Sequence, residues 1–285
     1  MKSIICIIIS IILGCCHAYS KELNITVTTL PQKLFVEKIG DKLVKINVMV
    51  DKGNDPHTYE PKPSKMIALS ESDLYFTISL PLEKLWIEKV KGSNRKLKIV
   101  AMDSGIEKLI SEGQNEDVKH HDLQADPHTW LSPSRVRIMA ENIMDALIRV
   151  DISNREIYWS NFLNFVKEIN AIDSKIADIF LKSKKNQSTF MVYHPSFLYF
   201  AKSYGLNQIA IEFEGKEPPP KHLQSIIETA KKERINKIFI EPQLDKKSAY
   251  FIAKSIDAKL IEIDPLSYMW GANLIKLAEF IASNE

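Results

Sequence analysis

The residues best suited to bind a metal ion belong to the tetrad Asp-Pro-His-Thr, which occurs twice. The copies are Asp55–Tyr59 and Asp126–Trp130, each including the aromatic residue that follows the tetrad. Proline fixes its own φ and holds the preceding residue in extended conformations, so each histidine leaves a stiffened loop. Because rigidly presented imidazoles are good metal ligands, the two copies predict that His57 and His128 converge on one ion.

Two further junctions with proline carry the ligand types that complete a tetrahedral site: His194-Pro195 and Asp264-Pro265. His57, His194 and Asp264 each follow a predicted strand, and open α/β sheets gather ligands at the carboxyl ends of parallel strands. We therefore predict that His57, His128, His194 and Asp264 bind one divalent metal. Three imidazoles and a carboxylate suit Zn²⁺, with Mn²⁺ as the alternative.

Other polar and aromatic residues near these motifs have supporting roles in this hypothesis. The Asp55 and Asp126 carboxylates are expected to cap their loops or to orient imidazoles. His120 and His121 lie in a polar loop, 111–125, where they either collect metal or are merely solvated, and His222 is expected at the surface. We expect five aromatic residues to form an apolar wall around the site or simply to be part of the core: Tyr59, Trp130, Phe197, Tyr199 and Phe200.

The chain begins with the pattern of an export signal. Lys2 precedes an apolar run, 4–13, and small residues follow, so residues 1–20 are interpreted as a signal peptide. Ala18-Tyr19-Ser20 fits a signal-peptidase site, whereas the run ending at Cys15 resembles a lipobox, and the soluble form is preferred. The protein is thus expected in the periplasm, with lipid attachment at Cys15 as the alternative.

Cysteine usage and charge narrow the chemistry further. Cys6, Cys15 and Cys16 all precede the mature chain, so its metal must be held by nitrogen and oxygen. The 38 basic and 36 acidic residues give a net charge of +2. This near-neutral balance argues against a nucleic-acid partner.

Short apolar runs alternate with helical patterns on both sides of a central helical region, which predicts an α/β fold with two parallel four-stranded sheets. The expected units are an N-terminal lobe, 21–150, a long rigid linking helix within 151–185, and a C-terminal lobe, 186–285. The predicted strands are 25–28, 44–50, 74–78, 97–101, 189–193, 208–211, 237–240 and 259–263. The predicted helices are 29–39, 65–69, 134–149, 153–182, 195–203, 221–232, 246–255 and 272–282.

These motifs together resemble the metal-specific solute-binding proteins of bacterial ABC importers, the zinc and manganese group. The resemblance covers nearly the whole mature chain, and its most specific parts are the two tetrads, the second continuing into Leu131-Ser132-Pro133. Further matching segments are Thr28 to Pro31, Ile39 to Asp41, Glu60-Pro61, Tyr193 to Ala201, Ile240 to Gln243 and Asp264 to Leu266.

The resemblance implies two βα lobes bridged by a long helix, with one metal in the cleft between them. It further implies a monomer that delivers the ion to a membrane permease, with no enzymatic activity. A histidine at the third ligand position, here His194, goes with zinc, whereas glutamate there goes with manganese. The short loop before His128 weakens the zinc interpretation, since many zinc importers carry a long histidine-rich loop there.

Two other function classes remain open at this stage. A catalytic zinc with three protein ligands and a water would make the protein a hydrolase, although the sequence has no His-Glu-x-x-His motif. A surface adhesin would share the export signal without needing the buried histidines. A Mn²⁺ or Fe²⁺ importer component is the alternative within the same transport class.

Overall fold

Two parallel four-stranded sheets form the framework of the molecule, as predicted. The structure, a computed structural model, describes residues 22–110, 125–183, 188–213, 216–244 and 246–283. The strands of the first sheet are β1 (Leu23–Val27), β2 (Val44–Val48), β3 (Leu74–Thr77) and β4 (Lys98–Ala101). Those of the second are β5 (Thr189–Val192), β6 (Asn207–Ala210), β7 (Lys237–Ile240) and β8 (Lys259–Glu262).

Helices connect these strands and cover the sheets. They are α1 (Leu30–Gly40), α2 (Pro63–Ser70), α3 (Pro81–Lys91), α4 (Pro133–Val150), α5 (Arg155–Lys182), α6 (Leu198–Ser203), α7 (Pro220–Lys232), α8 (Lys247–Ile256) and α9 (Trp270–Ala282). Helix α3 was not among the sequence predictions, and α6 begins three residues later than predicted. None of the described helices has the length and apolar character needed to cross a membrane.

Both sheets have the same strand order: β2-β1-β3-β4 in the first and β6-β5-β7-β8 in the second, with every pairing parallel. In each sheet the second strand along the chain lies on one side of the first, and the third and fourth strands lie on the other side. The strand order therefore reverses beside β1 in the first sheet and beside β5 in the second. The loops diverge at this point and leave a crevice at the carboxyl ends of the strands. Each sheet therefore offers one natural place for a ligand.

Helix α5 bridges the two halves, as predicted. Its 28 residues span about 42 Å. Near its start, Asn161 Nδ2 donates to Ile39 O of α1 over 3.0 Å, and just past its end Ser183 Oγ donates to Ala282 O of α9 over 3.1 Å. Close packing on α9 is possible because residue 271 is glycine, where a Cβ would lie 2.3 Å from Ile172 Cδ1.

One continuous apolar core joins the two sheets. Its buried residues include Val27 and Phe76 from the first sheet and Val192 and Phe239 from the second. Phe35 of α1 makes an edge-to-face contact with Trp270 of α9, with ring centroids 5.2 Å apart. Since separating the halves would expose this shared apolar surface to water, the architecture favours small relative motions.

Candidate metal centre

The two Asp-Pro-His-Thr tetrads fold into the same turn. Asp55 Oδ1 accepts a hydrogen bond from His57 N at 2.9 Å, and Asp126 Oδ1 accepts one from His128 N at 2.8 Å. An aspartate that bonds the backbone two residues ahead mimics a backbone turn and fixes the loop locally. Both aspartates therefore have the loop-capping role expected from the sequence.

The loop that carries His57 is held down by Asp51, which follows β2. The Asp51 carboxylate accepts hydrogen bonds from Lys62 Nζ at 2.9 Å and from Tyr59 OH at 3.3 Å, and it pairs with Lys65 Nζ at 3.0 Å. The hydrogen bonds from the two lysines lower the pKa of Asp51 to about 2. This ionised anchor ties both ends of the His57 loop to the edge of the first sheet.

The loop that carries His128 is attached to the other half of the molecule. Tyr199 OH of α6 donates to Asp126 O at 2.9 Å, and Trp130 Nε1 donates to Pro265 O at 2.9 Å. Trp270 Nε1 in turn donates to Trp130 O at 2.7 Å. His128 is consequently buried, although its segment precedes the bridging helix in the sequence.

His194 lies just beyond the carboxyl end of β5, beside the point where the order of the second sheet reverses. Its backbone is held by the buried Glu241, which follows β7: Oε2 accepts from His194 N at 3.5 Å and Oε1 accepts from Ser196 Oγ at 3.0 Å. Burial raises the pKa of Glu241 to about 7, against the opposing effects of His194 and of these hydrogen bonds.

The three histidines converge. The ring centroids of His57 and His128 are 5.6 Å apart, and each of them lies 5.1 Å from the ring centroid of His194. One ligand atom from each ring lies within 4.8 Å of the others. Within the described ranges, no other group of His, Cys, Asp and Glu side chains meets this condition. The spacing allows all three imidazoles to bind one ion with small adjustments.

Two of the three imidazoles are held by a carboxylate through Nδ1. His128 Nδ1 lies 2.8 Å from Asp126 Oδ1, and His194 Nδ1 forms a short hydrogen bond with Glu212. Among the described residues, His194 Nε2 is buried and has no hydrogen-bond partner. Metal-binding histidines usually donate their second ring N–H to a carboxylate or carbonyl, so this arrangement leaves Nε2 available to a cation.

The surroundings shift the pKa values of two of these histidines in opposite directions. Burial, followed by the nearby His128 and His194, lowers the pKa of His57 to about 4. Burial also acts to lower the pKa of His194, but the hydrogen bond and charge of Glu212 outweigh it, so the pKa of His194 is raised. His57 is therefore neutral at pH 7, the form that binds metal.

Asp264, the fourth predicted ligand, lies outside the group formed by the three histidines. Its Oδ1 accepts from Leu266 N at 2.9 Å, which repeats the turn of the two tetrads, and from Gln243 Nε2 at 2.7 Å. With Gln243 it lines a cleft whose opposite side is formed by Thr29 and Asp51 of the first half. The side chain thus faces the space between the two sheets.

The aromatic residues expected either around the site or in the core are mostly buried, and one of them contacts a site histidine. The ring of Trp130 lies 5.2 Å from that of His128, and Phe197, Tyr199 and Phe200 are buried. The ring of His222 is partly covered by Phe213, with centroids 4.6 Å apart, and burial lowers its pKa. The predictions for residues 1–20, including the three cysteines, and for His120 and His121 fall outside the described residues.

Glu212, Glu241 and Gln243 were not predicted as parts of the site from the physical pattern alone. Glu212 is the second residue after β6, and Glu241 comes directly after β7. The rule that ligands gather at the carboxyl ends of parallel strands would have found both, had it been applied to every strand rather than to histidine and aspartate junctions with proline.

Comparison with known families gives one consistent result. The family model described as "Zinc-uptake complex component A periplasmic", ZnuA, matches residues 25–279. A crystal structure of ZnuA superimposes with a TM-score of 0.84 at 40% sequence identity, covering 92% of this chain and 98% of that one.

Two curated relatives differ in the metal that their names give. The zinc-binding lipoprotein AdcA of Streptococcus pneumoniae serotype 4 is 26% identical over 273 residues, which are 90% of this chain. The chain spans only 54% of the length of AdcA. The manganese ABC transporter substrate-binding lipoprotein PsaA of Streptococcus anginosus is 29% identical over 264 residues, covering 84% of this chain and 82% of PsaA.

Proposed function

The chain belongs to the family of ZnuA, the periplasmic component A of zinc-uptake complexes, and from this premise we propose that it captures Zn²⁺ outside the cytoplasm. It then delivers the ion to the membrane permease of an ABC importer. The prediction that the chain is not an enzyme is confirmed, because the relatives it matches are binding proteins. Export by the leader, 1–20, remains part of this proposal, with lipid attachment at Cys15 as the alternative.

The observation that carries the proposal is the convergence of His57, His128 and His194, with ligand atoms within 4.8 Å of one another. Imidazole nitrogen suits zinc, whereas manganese favours sites richer in oxygen. The buried, unpartnered Nε2 of His194 also supports a cation among these rings, since a buried polar atom without a partner is unfavourable. Manganese is the alternative cargo, supported by the relationship to PsaA.

We propose Asp264 as the fourth ligand. Its Oδ1 is engaged by Leu266 N and Gln243 Nε2, which leaves the second carboxylate oxygen to approach the ion. A carboxylate would complete a tetrahedral shell and offset one positive charge of Zn²⁺. The units 21–150 and 186–285 would act as the two lobes, joined through 151–185, and each lobe would contribute ligands.

Release of the ion would follow from docking on the permease. The His128 loop is bonded to the second half through Trp130 and Tyr199, whereas the anchor of the His57 loop, Asp51, belongs to the first half. A small displacement of one half would therefore move His57 away from His128 and His194. Loss of one of the imidazoles would weaken binding enough to free the ion.

The test is a comparison of metals and variants on purified mature protein. We expect one zinc per chain and tighter binding of zinc than of manganese in competition with a chromophoric chelator. His57→Ala should weaken zinc binding by roughly 100-fold or more, because it removes a ligand rather than a supporting residue. His222→Ala is the matched control and should bind zinc as the wild type does.

Two results would contradict the proposal. One is a wild-type protein that binds manganese more tightly than zinc, which would favour the alternative cargo. The other is a His57→Ala protein with unchanged zinc affinity, which would remove His57 from the site. A growth assay adds the transport step: deletion of the gene should impair growth in zinc-depleted medium, and added zinc should restore it.

A further inference from the structure

Glu212 stands out among the carboxylates around the histidines because it comes from a different strand end than the ring it contacts. It lies just beyond β6, and its carboxylate accepts a short hydrogen bond from His194 Nδ1, which lies beyond β5. The two side chains are mostly buried, with 11% and 17% of their surfaces exposed. The pairing therefore depends on the tertiary packing of two neighbouring strands.

The contrast with His128 shows what is unusual about this pair. Asp126 holds the ring of His128 and also makes the turn that carries it, so one residue sets both backbone and ring. For His194 these two tasks are divided. Glu241 and Ser196 fix the backbone, whereas Glu212 contacts only the ring. A change at Glu212 should then alter the ring without disturbing the turn.

The hydrogen bond also determines which nitrogen of His194 faces the ion. A carboxylate can only accept, so in the neutral ring Nδ1 carries the hydrogen and Nε2 keeps its lone pair. His194 Nε2 is buried and has no partner within the described part of the chain, and the ring centroids of His57 and His128 each lie 5.1 Å from the centroid of the His194 ring. The lone pair is thus held ready at the point where the three rings meet.

We propose that Glu212 is a positioning residue that sets the preference of the site for zinc over manganese. This inference rests on the proposed function. The Glu212 carboxylate fixes the tautomer and plane of His194 and makes Nε2 a more basic metal ligand. It thereby strengthens a nitrogen ligand, which is the ligand type that zinc depends on most. Manganese gains less, because it relies more on oxygen ligands.

The experiment compares Glu212→Ala and Glu212→Gln with the wild type and with Glu217→Gln. Glu217 is a matched control on the same segment, since it bonds Tyr193 OH and Ser248 Oγ rather than an imidazole. Zinc and manganese dissociation constants are measured by competition at pH 8. Unfolding of each metal-free protein is measured by heating.

We expect Glu212→Ala to weaken zinc binding by about 10- to 100-fold and manganese binding by less, so that the preference for zinc falls. Glu212→Gln should lie between this variant and the wild type, because its amide oxygen still accepts from Nδ1 but carries no charge. In NMR spectra, the His194 Nδ1–H resonance should be protected in the wild type and in Glu212→Gln and lost in Glu212→Ala. Glu217→Gln should match the wild type in every measurement.

Unchanged zinc affinity in Glu212→Ala would overturn the inference, and so would equal weakening of zinc and manganese. If Glu212→Ala does not fold, Glu212→Gln decides, since an unaltered zinc-to-manganese ratio there rejects the role. These failures differ from a failure of the proposed function, in which the wild type itself would not prefer zinc.

Discussion

The indole nitrogen of Trp130 donates a hydrogen bond to the carbonyl oxygen of Pro265 over 2.9 Å. This bond joins the loop that presents His128 to the loop that presents Asp264, across 135 residues of sequence. Trp130 is fully buried, so the bond is shielded from water. This indole N–H thus links the loops of two proposed ligands directly.

Replacing Trp130 by phenylalanine should therefore weaken zinc binding as well as the fold. The substitution removes the N–H and leaves Pro265 O without this donor, a loss of about 1–3 kcal/mol. If about half of that is lost from the bound state only, zinc affinity falls roughly 2- to 10-fold. Competition with a chelator measures the affinity, and chemical denaturation of the metal-free protein measures the stability.

Trp159→Phe is the control. Trp159 lies on α5 and is 46% exposed, and among the described residues its ring contacts Phe162 rather than the site loops. It should bind zinc as the wild type does. A Trp130→Phe protein with wild-type affinity would show that the two loops are placed independently of this bond.

The histidines should titrate in a defined order in the metal-free protein. Burial and the neighbouring imidazoles lower the pKa of His57 to about 4, whereas Glu212 raises the pKa of His194 above its ordinary value of 6.5. At pH 6, His194 is therefore mainly in the charged form with both ring nitrogens protonated, whereas His57 is neutral. Zinc must displace one of these protons, so its affinity should fall as the pH drops through the titration of His194.

An NMR titration of the imidazole resonances tests this order, and zinc competition at several pH values tests its consequence. The expected result is that His194 titrates at higher pH than His57 and that zinc affinity falls in the same pH range. If His57 titrated first, or if the affinity did not change while His194 gained its proton, the assignment would be wrong.

A third prediction concerns stability and centres on Glu83, a buried residue in the first turn of α3. Its carboxylate accepts hydrogen bonds from Thr28 Oγ1, from Ile78 N at 3.1 Å and from Leu80 N at 3.0 Å. Burial nevertheless raises its pKa to about 7 from 4.5. The folded protein therefore binds a proton at Glu83 more tightly than the unfolded chain does between these two pH values.

The stabilisation from this proton is fully present below pH 4.5 and is lost as the pH rises through 7. Between pH 4.5 and 8 the change amounts to roughly 3 kcal/mol for this group. Glu83→Gln cannot ionise, so the free energy of unfolding of this variant should fall less over that range than that of the wild type. Urea denaturation at pH 5 and pH 8 measures both, and equal pH dependence in the two proteins would reject the role of Glu83.

The sequence predicted the framework well because its strands are short apolar runs bounded by turn residues. All eight predicted strands overlap observed ones, and β7 (Lys237–Ile240) has the predicted bounds. Helix α3 was missed because Leu85 is 58% exposed while the acidic Glu83 is buried, so the helix does not show a simple apolar stripe. Residues 195–197 were predicted to be helical, but the turn that carries His194 occupies them, with Phe197 N bonded to Gln208 Oε1 at 2.7 Å.

The sequence singled out candidate ligands where ligand type and local stiffness coincided. His57, His128 and His194 were found because each is next to proline, and the structure brings their rings together. Glu212 could not be found in that way, because its role depends on β5 and β6 lying side by side. The pairing of Trp130 with Pro265 is similarly a product of tertiary packing, which no local sequence pattern encodes.

The central claim is that three imidazoles from separate segments bind one zinc ion. X-ray absorption at the zinc K edge of protein loaded with one equivalent of zinc tests it directly. We expect three nitrogen ligands with the outer-shell scattering of imidazole, and one oxygen ligand, at about 2.0–2.2 Å. A first shell made only of oxygen, or one with fewer than three imidazoles, would contradict it.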